Sequence, residues 1–154
     1  MRKMRKLKRL FDNKEYAKVL KHGKSLLKNR PNDDLLYYYL GTSSYNLQHY
    51  QQAYEYFTQC QLTSPYQYHA HHNIANTLKH LGKNDEAIAH YQKSLEADPE
   101  FEPAHVSLAD LYQERQETEP AITHMQIACR INPKSAIHQN KLGCLYCDND
   151  EVDK

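Results

Sequence analysis

The chain has 154 residues, of which 40% are hydrophobic and 25% charged, and its formal net charge is +1. This length and composition predict one soluble folded domain with a sizeable core, and exclude a disordered or fibrous chain. No apolar run approaches the about 18 residues of a membrane span, and the basic start MRKMRKLKRLF lacks the apolar core of a secretory signal. The four cysteines show no secreted disulfide pattern, so a cytoplasmic location is predicted.

The charge is distributed unevenly along the chain. Residues 1–30 hold twelve Lys and Arg against two acidic residues, whereas the remainder holds eight basic and seventeen acidic residues. A solvated face on a capping helix is the simplest interpretation of the basic segment. The functional alternatives are attraction to an acidic partner or to phosphates, and head-to-tail contact with the acidic end of another copy.

Several rows of residues recur along the chain at a fixed spacing of 34. A fixed period of this length predicts an array of repeated structural units, each too small to fold alone. One row is proline, one is alanine, one is a large aliphatic residue and one is Gly or Ala. These rows are Pro31, Pro65, Pro99 and Pro133; Ala53, Ala87 and Ala121; Leu40, Ile74, Leu108 and Leu142; and Gly41, Ala75, Ala109 and Gly143.

The first segment, 1–33, is predicted to form a basic helix followed by a divergent first unit. The apolar residues of the first helix are Leu7, Leu10 and Phe11, and a second helix should end before Pro31. Gly23 stands where the other units have a large residue. Terminal units of arrays are often atypical because one of their faces meets water.

Three full units follow, 34–67, 68–101 and 102–135, and each is predicted to be a pair of helices. In 68–101 the apolar residues recur at steps of three and four on both sides of Gly82, which suits a helix C-terminus with a positive φ. Asn84 or Asp85 is the expected N-cap of the second helix. In 102–135, Gln116 occupies the place of the glycine and Thr118 is the expected N-cap.

The last segment, 136–154, is predicted to be a partial unit with an acidic end. Its first helix has Leu142 and Gly143 in register, and DNDEVDK is expected to form a turn and open a second helix. A unit cut in this way suggests a fragment, a truncated gene product or the N-terminal part of a longer protein.

The 34-residue unit, with a small residue in each helix and a proline after the second, resembles the tetratricopeptide repeat (TPR). The resemblance covers nearly the whole chain. It implies an all-α, right-handed superhelical solenoid of antiparallel helix pairs, whose first helices line a concave binding groove. The groove residues that it implies are Tyr38, Tyr39, Thr42, Tyr45, Asn46, His69, His72, Asn73, Asn76, His80, Ser107, Asp110, Glu114, Asn140 and Lys141.

This set of side chains favours a non-catalytic scaffold for protein–protein interaction. Asn offers both a donor and an acceptor to a peptide backbone, Tyr offers apolar area with a polar tip, and the acidic end favours basic residues in the partner. The alternative is a substrate-recruiting portion of a longer sulfotransferase or glycosyltransferase. Nucleic acid is an unlikely partner, and self-association through the charged ends is a further expectation.

No catalytic or cofactor motif occurs in the chain, so neither an enzyme nor a cofactor is expected. The run HAHH places His69 and His72 one turn apart without a third ligand nearby, and His71 should face the packing side. Cys144 and Cys147 form a single C-x-x-C on a helix, which is a weak signal for redox chemistry or zinc. No metal site is therefore predicted.

Overall fold

The computed structural model describes residues 2–60 and 67–152, with side chains up to residue 149. Within these residues every helix or strand assigned is an α-helix, which confirms the predicted all-α solenoid. No helix in the described ranges has the length and apolar character of a membrane span. Helices pack chiefly against their neighbours in sequence, and most extensively within the pairs of the three full units. The helices are α1 (Arg2–Asp12), α2 (Tyr16–Leu27), α3 (Asp34–Asn46), α4 (Tyr50–Gln59), α5 (Gln67–His80), α6 (Asn84–Ala97), α7 (Glu102–Glu114), α8 (Thr118–Ile131) and α9 (Ala136–Val152).

The periodic small residues form the contact between the two helices of a pair. Ala75 and Ala87 are both 0% exposed and belong to one apolar cluster between α5 and α6, which also includes the ring of Tyr91. Small side chains let two helix axes approach to roughly 8–10 Å, and larger residues fill the space beside them. The row of alanines in the second helices is fully buried throughout: Ala53, Ala87 and Ala121.

The divergence of the first unit has a packing explanation. Phe57, Tyr91 and Met125 fill equivalent positions in the following units, and each is at most 1% exposed. Gly23 holds this position in α2, where a Cβ atom would lie 2.6 Å from Cδ2 of Leu40. Leu40 of the next helix therefore fills the space that the missing side chain leaves.

The turns between paired helices share one backbone conformation, also with a period of 34. In the turn between α5 and α6 the N–H of Lys83 donates to the carbonyl of Leu78 at 2.9 Å, and the residue before Lys83 has a positive φ. This is the six-residue closure of a Schellman motif, which satisfies a carbonyl at the helix end. The equivalent positive-φ residues are Lys14 (φ 58), Gln48 (φ 61), Gly82 (φ 74) and Gln116 (φ 60).

The predicted side-chain N-caps are wrong. Helix α6 begins at Asn84 and α8 at Thr118, so the cap positions belong to Lys83 and Glu117, and neither makes a side-chain cap bond. The cause is the tight turn, because the residue that closes the first helix also serves as the N-cap of the second. Asp85 consequently lies inside the first turn of α6 instead of capping it.

Glycine at the strained turn positions is expected to stabilise the chain. Gln48 and Gln116 hold positive φ at a cost that glycine does not have, although glycine loses more backbone entropy on folding. We expect Gln48→Gly and Gln116→Gly each to raise the free energy of unfolding by about 0.5–1 kcal/mol. Gly82→Ala should lower it by about 1 kcal/mol. Urea denaturation measures these changes, and a loss of stability in both glycine variants would contradict the assignment of strain.

The predicted turn near the C-terminus is also wrong within the described residues. Helix α9 continues from Ala136 to Val152 through Asp148, and Asp150, which follows Gln116 by 34 residues, remains helical. The earlier turns are held by the packing of a second helix on the first. The described part of the chain contains no such second helix after α9, so nothing favours a turn over a continued helix.

Candidate peptide-binding surface

The first helices of neighbouring units meet through their side chains. Residues 35 apart are in contact: the rings of Tyr45 and His80 lie 5.4 Å apart, and Nε2 of His72 lies 3.4 Å from Oγ of Ser107. Lys79 and Gln113 reach the next first helix in the same way. We call the side chains of α3, α5, α7 and α9 on this face, together with the adjoining Tyr50 ring, the groove surface.

An aromatic group forms the N-terminal part of the groove surface. The ring of Tyr50 stacks on His80 with centroids 4.4 Å apart and an interplanar angle of 1°. Tyr45 meets both rings edge-on, at 5.5 Å from Tyr50 and 5.4 Å from His80. Tyr50 opens α4, a second helix, and was not predicted, because the resemblance implies groove residues on first helices only. The three rings give a ligand flat apolar area with polar edges.

Tyr39, one of the predicted groove residues, is buried. Its side chain is 8% exposed, and its ring centroid lies 4.7 Å from that of Phe11 in the core of the N-terminal helices. Tyr38 is partly buried, with its ring 6.5 Å from Phe57. Adjacent helical residues differ by about 100° in direction, so one of two neighbours at the edge of a packed face turns inward.

Asn76 has a structural partner that the sequence does not reveal. Its Oδ1 accepts a hydrogen bond of 2.6 Å from the hydroxyl of Tyr91, whose side chain is 0% exposed. Burial raises the pKa of the Tyr91 hydroxyl, which keeps it a donor. The amide Nδ2 of Asn76 lies 3.4 Å from Nδ1 of His72. Asn76 therefore supports the wall of the groove from within.

Replacing Asn76 with Ala is expected to destabilise the fold by about 1–3 kcal/mol, because the buried Tyr91 hydroxyl loses its acceptor. The double variant Asn76→Ala/Tyr91→Phe removes both partners and should recover most of this loss. Thermal and urea unfolding of the three proteins measures the difference. A double variant as unstable as the single one would show that the hydrogen bond is not the cause.

Asn73 lies at the centre of the groove surface beside a small cavity of about 30 Å³. The cavity is lined by Thr42, Tyr45, Phe57, Asn73 and Asn76, and Oγ1 of Thr42 is buried without a hydrogen-bond partner in the described residues. A space of this size holds one water molecule or one polar group of a ligand. The pocket thus offers hydroxyl and amide groups to whatever enters it.

The other predicted asparagines lie near the two ends of the groove surface. Asn46 is exposed, and its Nδ2 donates to the carbonyl of Thr42 in its own helix at 2.8 Å. Asn140 is exposed on α9. Within the described residues the side chains of Asn73 and Asn140 make no hydrogen bond, so their donors and acceptors remain available.

His69 and His72 pack against aromatic rings and are partly buried. The ring of His69 lies 4.2 Å from Tyr68 and 5.1 Å from Phe101, and His72 meets Phe101 edge-on at 5.2 Å. Burial lowers the pKa of His72 to about 4, and burial also lowers the pKa of His69. Both imidazoles are consequently neutral at pH 7 and contribute ring area rather than charge.

The acidic residues at the C-terminal part of the groove surface are already paired. Nζ of Lys141 lies 2.7 Å and 3.0 Å from the two carboxylate oxygens of Asp110, and Nζ of Lys79 lies 2.7 Å from Oε1 of Glu114. Each pair joins two first helices. These two carboxylates therefore give no reason to expect basic residues in a partner.

Two pairs of histidines occupy equivalent positions in consecutive units, and each pair joins the two helices of its own unit. Nδ1 of His71 lies 3.2 Å from Nδ1 of His90, and Nδ1 of His105 lies 3.0 Å from Nδ1 of His124. The contact confirms that His71 faces the packing side. The signal that could have found these pairs is their spacing, since both members of the first pair recur 34 residues later.

The hydrogen bonds of His105 fix its tautomer. Its Nε2 lies 3.0 Å from the carbonyl oxygen of Pro99, which can only accept, so Nε2 carries the proton. Nδ1 of His105 then accepts a hydrogen bond from Nδ1–H of His124. Tyr37 and Gln139 occupy the same position in other units and likewise donate to a proline carbonyl six residues earlier.

No cluster of three or more metal-ligating side chains occurs in the described ranges. Cys144 and Cys147 are exposed and free on α9. The described site thus consists of ring, amide and hydroxyl groups on a rigid helical frame.

The fold and this surface define the chain as an array of helical hairpins. Residues 68–101 match the tetratricopeptide repeat, and the chain folds as a tetratricopeptide-repeat array. MamA from Desulfovibrio magneticus RS-1 is similar in structure, with a TM-score of 0.85 and 21% identity over 96% of this chain and 84% of that one.

Two further solved structures are similar. The C-terminal part of a TPR repeat-containing protein from Cytophaga hutchinsonii has a TM-score of 0.86 at 19% identity, covering 96% of this chain and 58% of that one. YrrB, described as a TPR protein with an unusual peptide-binding site, has a TM-score of 0.77 at 14% identity, covering 94% of this chain and 74% of that one. No curated protein matches the chain. At these identities the likeness shows the fold alone.

Proposed function

We propose that this protein is a non-catalytic interaction scaffold that binds an extended segment of a partner protein along the groove surface. The observation that carries the proposal is the centre of that surface, where the free amide of Asn73 and the unpartnered hydroxyl of Thr42 adjoin one small cavity. Polar groups left without partners on an otherwise well-bonded helical surface are expected where a ligand completes them.

The chemistry of the groove surface suits a peptide backbone. An extended peptide presents alternating N–H and C=O groups, and a single Asn side chain can bond one of each. The stacked rings of Tyr50 and His80 beside Tyr45 supply apolar area for a neighbouring side chain. Asp110 and Glu114 are neutralised by lysines, so the contact is expected to depend little on charge.

YrrB supports the proposal by analogy, because its solved structure is described as having a peptide-binding site on the same fold. A catalytic role has no comparable support. The sequence contains no nucleophile or phosphate-binding motif, and the groove-surface imidazoles of His69 and His72 are ring contacts, with His72 held neutral by burial.

Selection of a random peptide library on the immobilised chain, followed by titration of the best peptide, tests the groove. Asn73→Ala is expected to lower the affinity for the selected peptide roughly three- to tenfold, which corresponds to the loss of one hydrogen bond. Asn84→Ala, the same change at the start of α6, is the matched control and should leave affinity unchanged. Equal affinity of the wild type and Asn73→Ala would reject this surface as the binding site.

A further inference from the structure

Helix α1 carries positive charge that its own fold does not use. Within the described residues Arg2, Lys3, Arg5 and Lys6 form no salt bridge with a carboxylate, whereas Arg9 interacts with the charge of Glu15. Like charges fall three or four positions apart along the helix, and its first turn holds no acidic residue. Both features oppose helix formation, because neighbouring cations repel and cations disfavour a helix N-terminus. An anionic partner would relieve this repulsion.

The cations border a groove whose floor is apolar. The groove has a volume of about 860 Å³ and lies between α1 and the segment that joins α2 to α3. Leu35 in its floor is 50% exposed, beside Met4 and Leu26. A polyphosphate would use the cations and leave this floor uncovered. An acidic protein segment that carries a large apolar side chain would cover both. The cations on the rim are Arg2, Lys3, Arg5 and Arg30; Arg30 is paired at 3.0 Å with Asp33, which also lines the groove, so the unpaired charge lies on α1.

The other end of the chain has this chemistry. Tyr146 on α9 is 44% exposed, with its hydroxyl accepting from Gln126. Four acidic residues follow it in the sequence, Asp148, Asp150, Glu151 and Asp153, of which Asp148 already accepts a hydrogen bond from Gln113. The face of α9 around Gly143 is open, since a Cβ atom there would meet nothing within 4 Å. Helices of this array pack chiefly against sequence neighbours, so the two ends of one chain do not reach each other.

We propose that the C-terminal end of one copy docks into the groove beside α1 of a second copy, so that the chains associate head to tail. Tyr146 and its neighbours cover the apolar floor, and the acidic residues face the cationic rim. Such a contact joins two different surfaces and leaves a free end on each side. Association is therefore open-ended, grows with protein concentration and weakens with salt.

Sedimentation velocity of the full chain over a range of concentrations tests the proposal. At ~20 mM salt we expect species larger than the monomer, and at ~500 mM salt the association constant should fall by about tenfold or more. The groove variant Arg2→Gln/Arg5→Gln and the tail variant Asp150→Asn/Glu151→Gln should each associate roughly fivefold or more weakly at low salt. The control Lys93→Gln/Lys134→Gln is matched to the groove variant, because it removes two positive charges elsewhere, and should behave as the wild type.

Mixing the two variants separates a head-to-tail contact from other modes. Each variant keeps one intact end, so an equimolar mixture should form a dimer that grows no further. A wild type that stays monomeric at every concentration would overturn the proposal, as would equal weakening by the control variant. A monomer that binds a duplex oligonucleotide through the same cations would assign the groove to nucleic acid instead.

Discussion

Acidification from pH 6.5 to about 4 is expected to destabilise the folded chain by roughly 3–5 kcal/mol. Burial lowers the pKa of His72, His90 and His124 to about 4 in the folded state, from 6.5. In this pH window the unfolded chain binds protons at these positions and the folded chain does not. The contribution of these three histidines to stability is therefore fully present above pH 6.5 and is lost as the pH falls toward 4.

The paired imidazoles explain part of the effect. Only one of the two facing Nδ1 atoms in each pair carries a proton, so protonation of both rings sets two cationic N–H groups against each other at 3.2 Å or 3.0 Å and breaks the N–H···N bond. His90 also faces Lys93, which adds to the repulsion, and Glu86, which offsets it in part. His90 and His124 are half-buried, so solvent screening reduces the contribution of each to about 1 kcal/mol, whereas the more buried His72 contributes the largest share.

The preceding unit supplies the matched variants, because Tyr37 and Tyr56 stand where the histidine pairs stand. We expect His71→Tyr/His90→Tyr and His105→Tyr/His124→Tyr each to shift the midpoint of acid unfolding to lower pH, as followed by circular dichroism. His49→Tyr removes an exposed histidine and serves as the control. An acid midpoint that is the same in all four proteins would exclude the paired imidazoles as its cause.

Gly41→Ala is expected to cost about 1–3 kcal/mol of unfolding free energy. The added Cβ would lie 2.6 Å from Cδ1 and 2.7 Å from Cε1 of Phe57, a ring that is 1% exposed and cannot move aside. The residue is helical, so the gain in helix propensity from alanine, up to about 1 kcal/mol, offsets only part of the clash.

Gly143→Ala is the matched control, since Gly143 holds the equivalent position in α9 and has nothing within 4 Å of the added methyl. There alanine should raise stability by about 0.5–1 kcal/mol. Phe57→Leu combined with Gly41→Ala should recover part of the lost stability. If alanine has equal effects at Gly41 and Gly143 in urea denaturation, close packing against Phe57 is not the reason that position 41 requires glycine.

The helix pairs could be predicted because their determinants are local. The spacing of small, apolar and proline residues indicates which face of each helix packs and where each pair ends, and the structure agrees for the described pairs. The predictions that failed were made at boundaries. The N-caps at Asn84 and Thr118 failed because a Schellman turn, held by backbone bonds, had already assigned the cap to the preceding residue.

The groove surface could be placed from the sequence only as a set of positions, and what each side chain has available depends on partners elsewhere in the chain. Asn73 and Asn76 are indistinguishable in sequence. The side chain of Asn73 lies beside a cavity without a hydrogen-bond partner in the described residues, whereas that of Asn76 accepts a hydrogen bond from the hydroxyl of Tyr91, fifteen residues away. Asp110 appears in the sequence as a free negative charge, but in the structure it is paired with Lys141, thirty-one residues later.

The sequence alone determined the period, the helix pairs and the rows that pack them, because a fixed spacing acts through local helix geometry and the size of side chains. Which polar groups are left without a partner depends on the folded chain. A hydrogen bond or ion pair between units depends on distances of a few tenths of an ångström, and a one-dimensional pattern does not contain them.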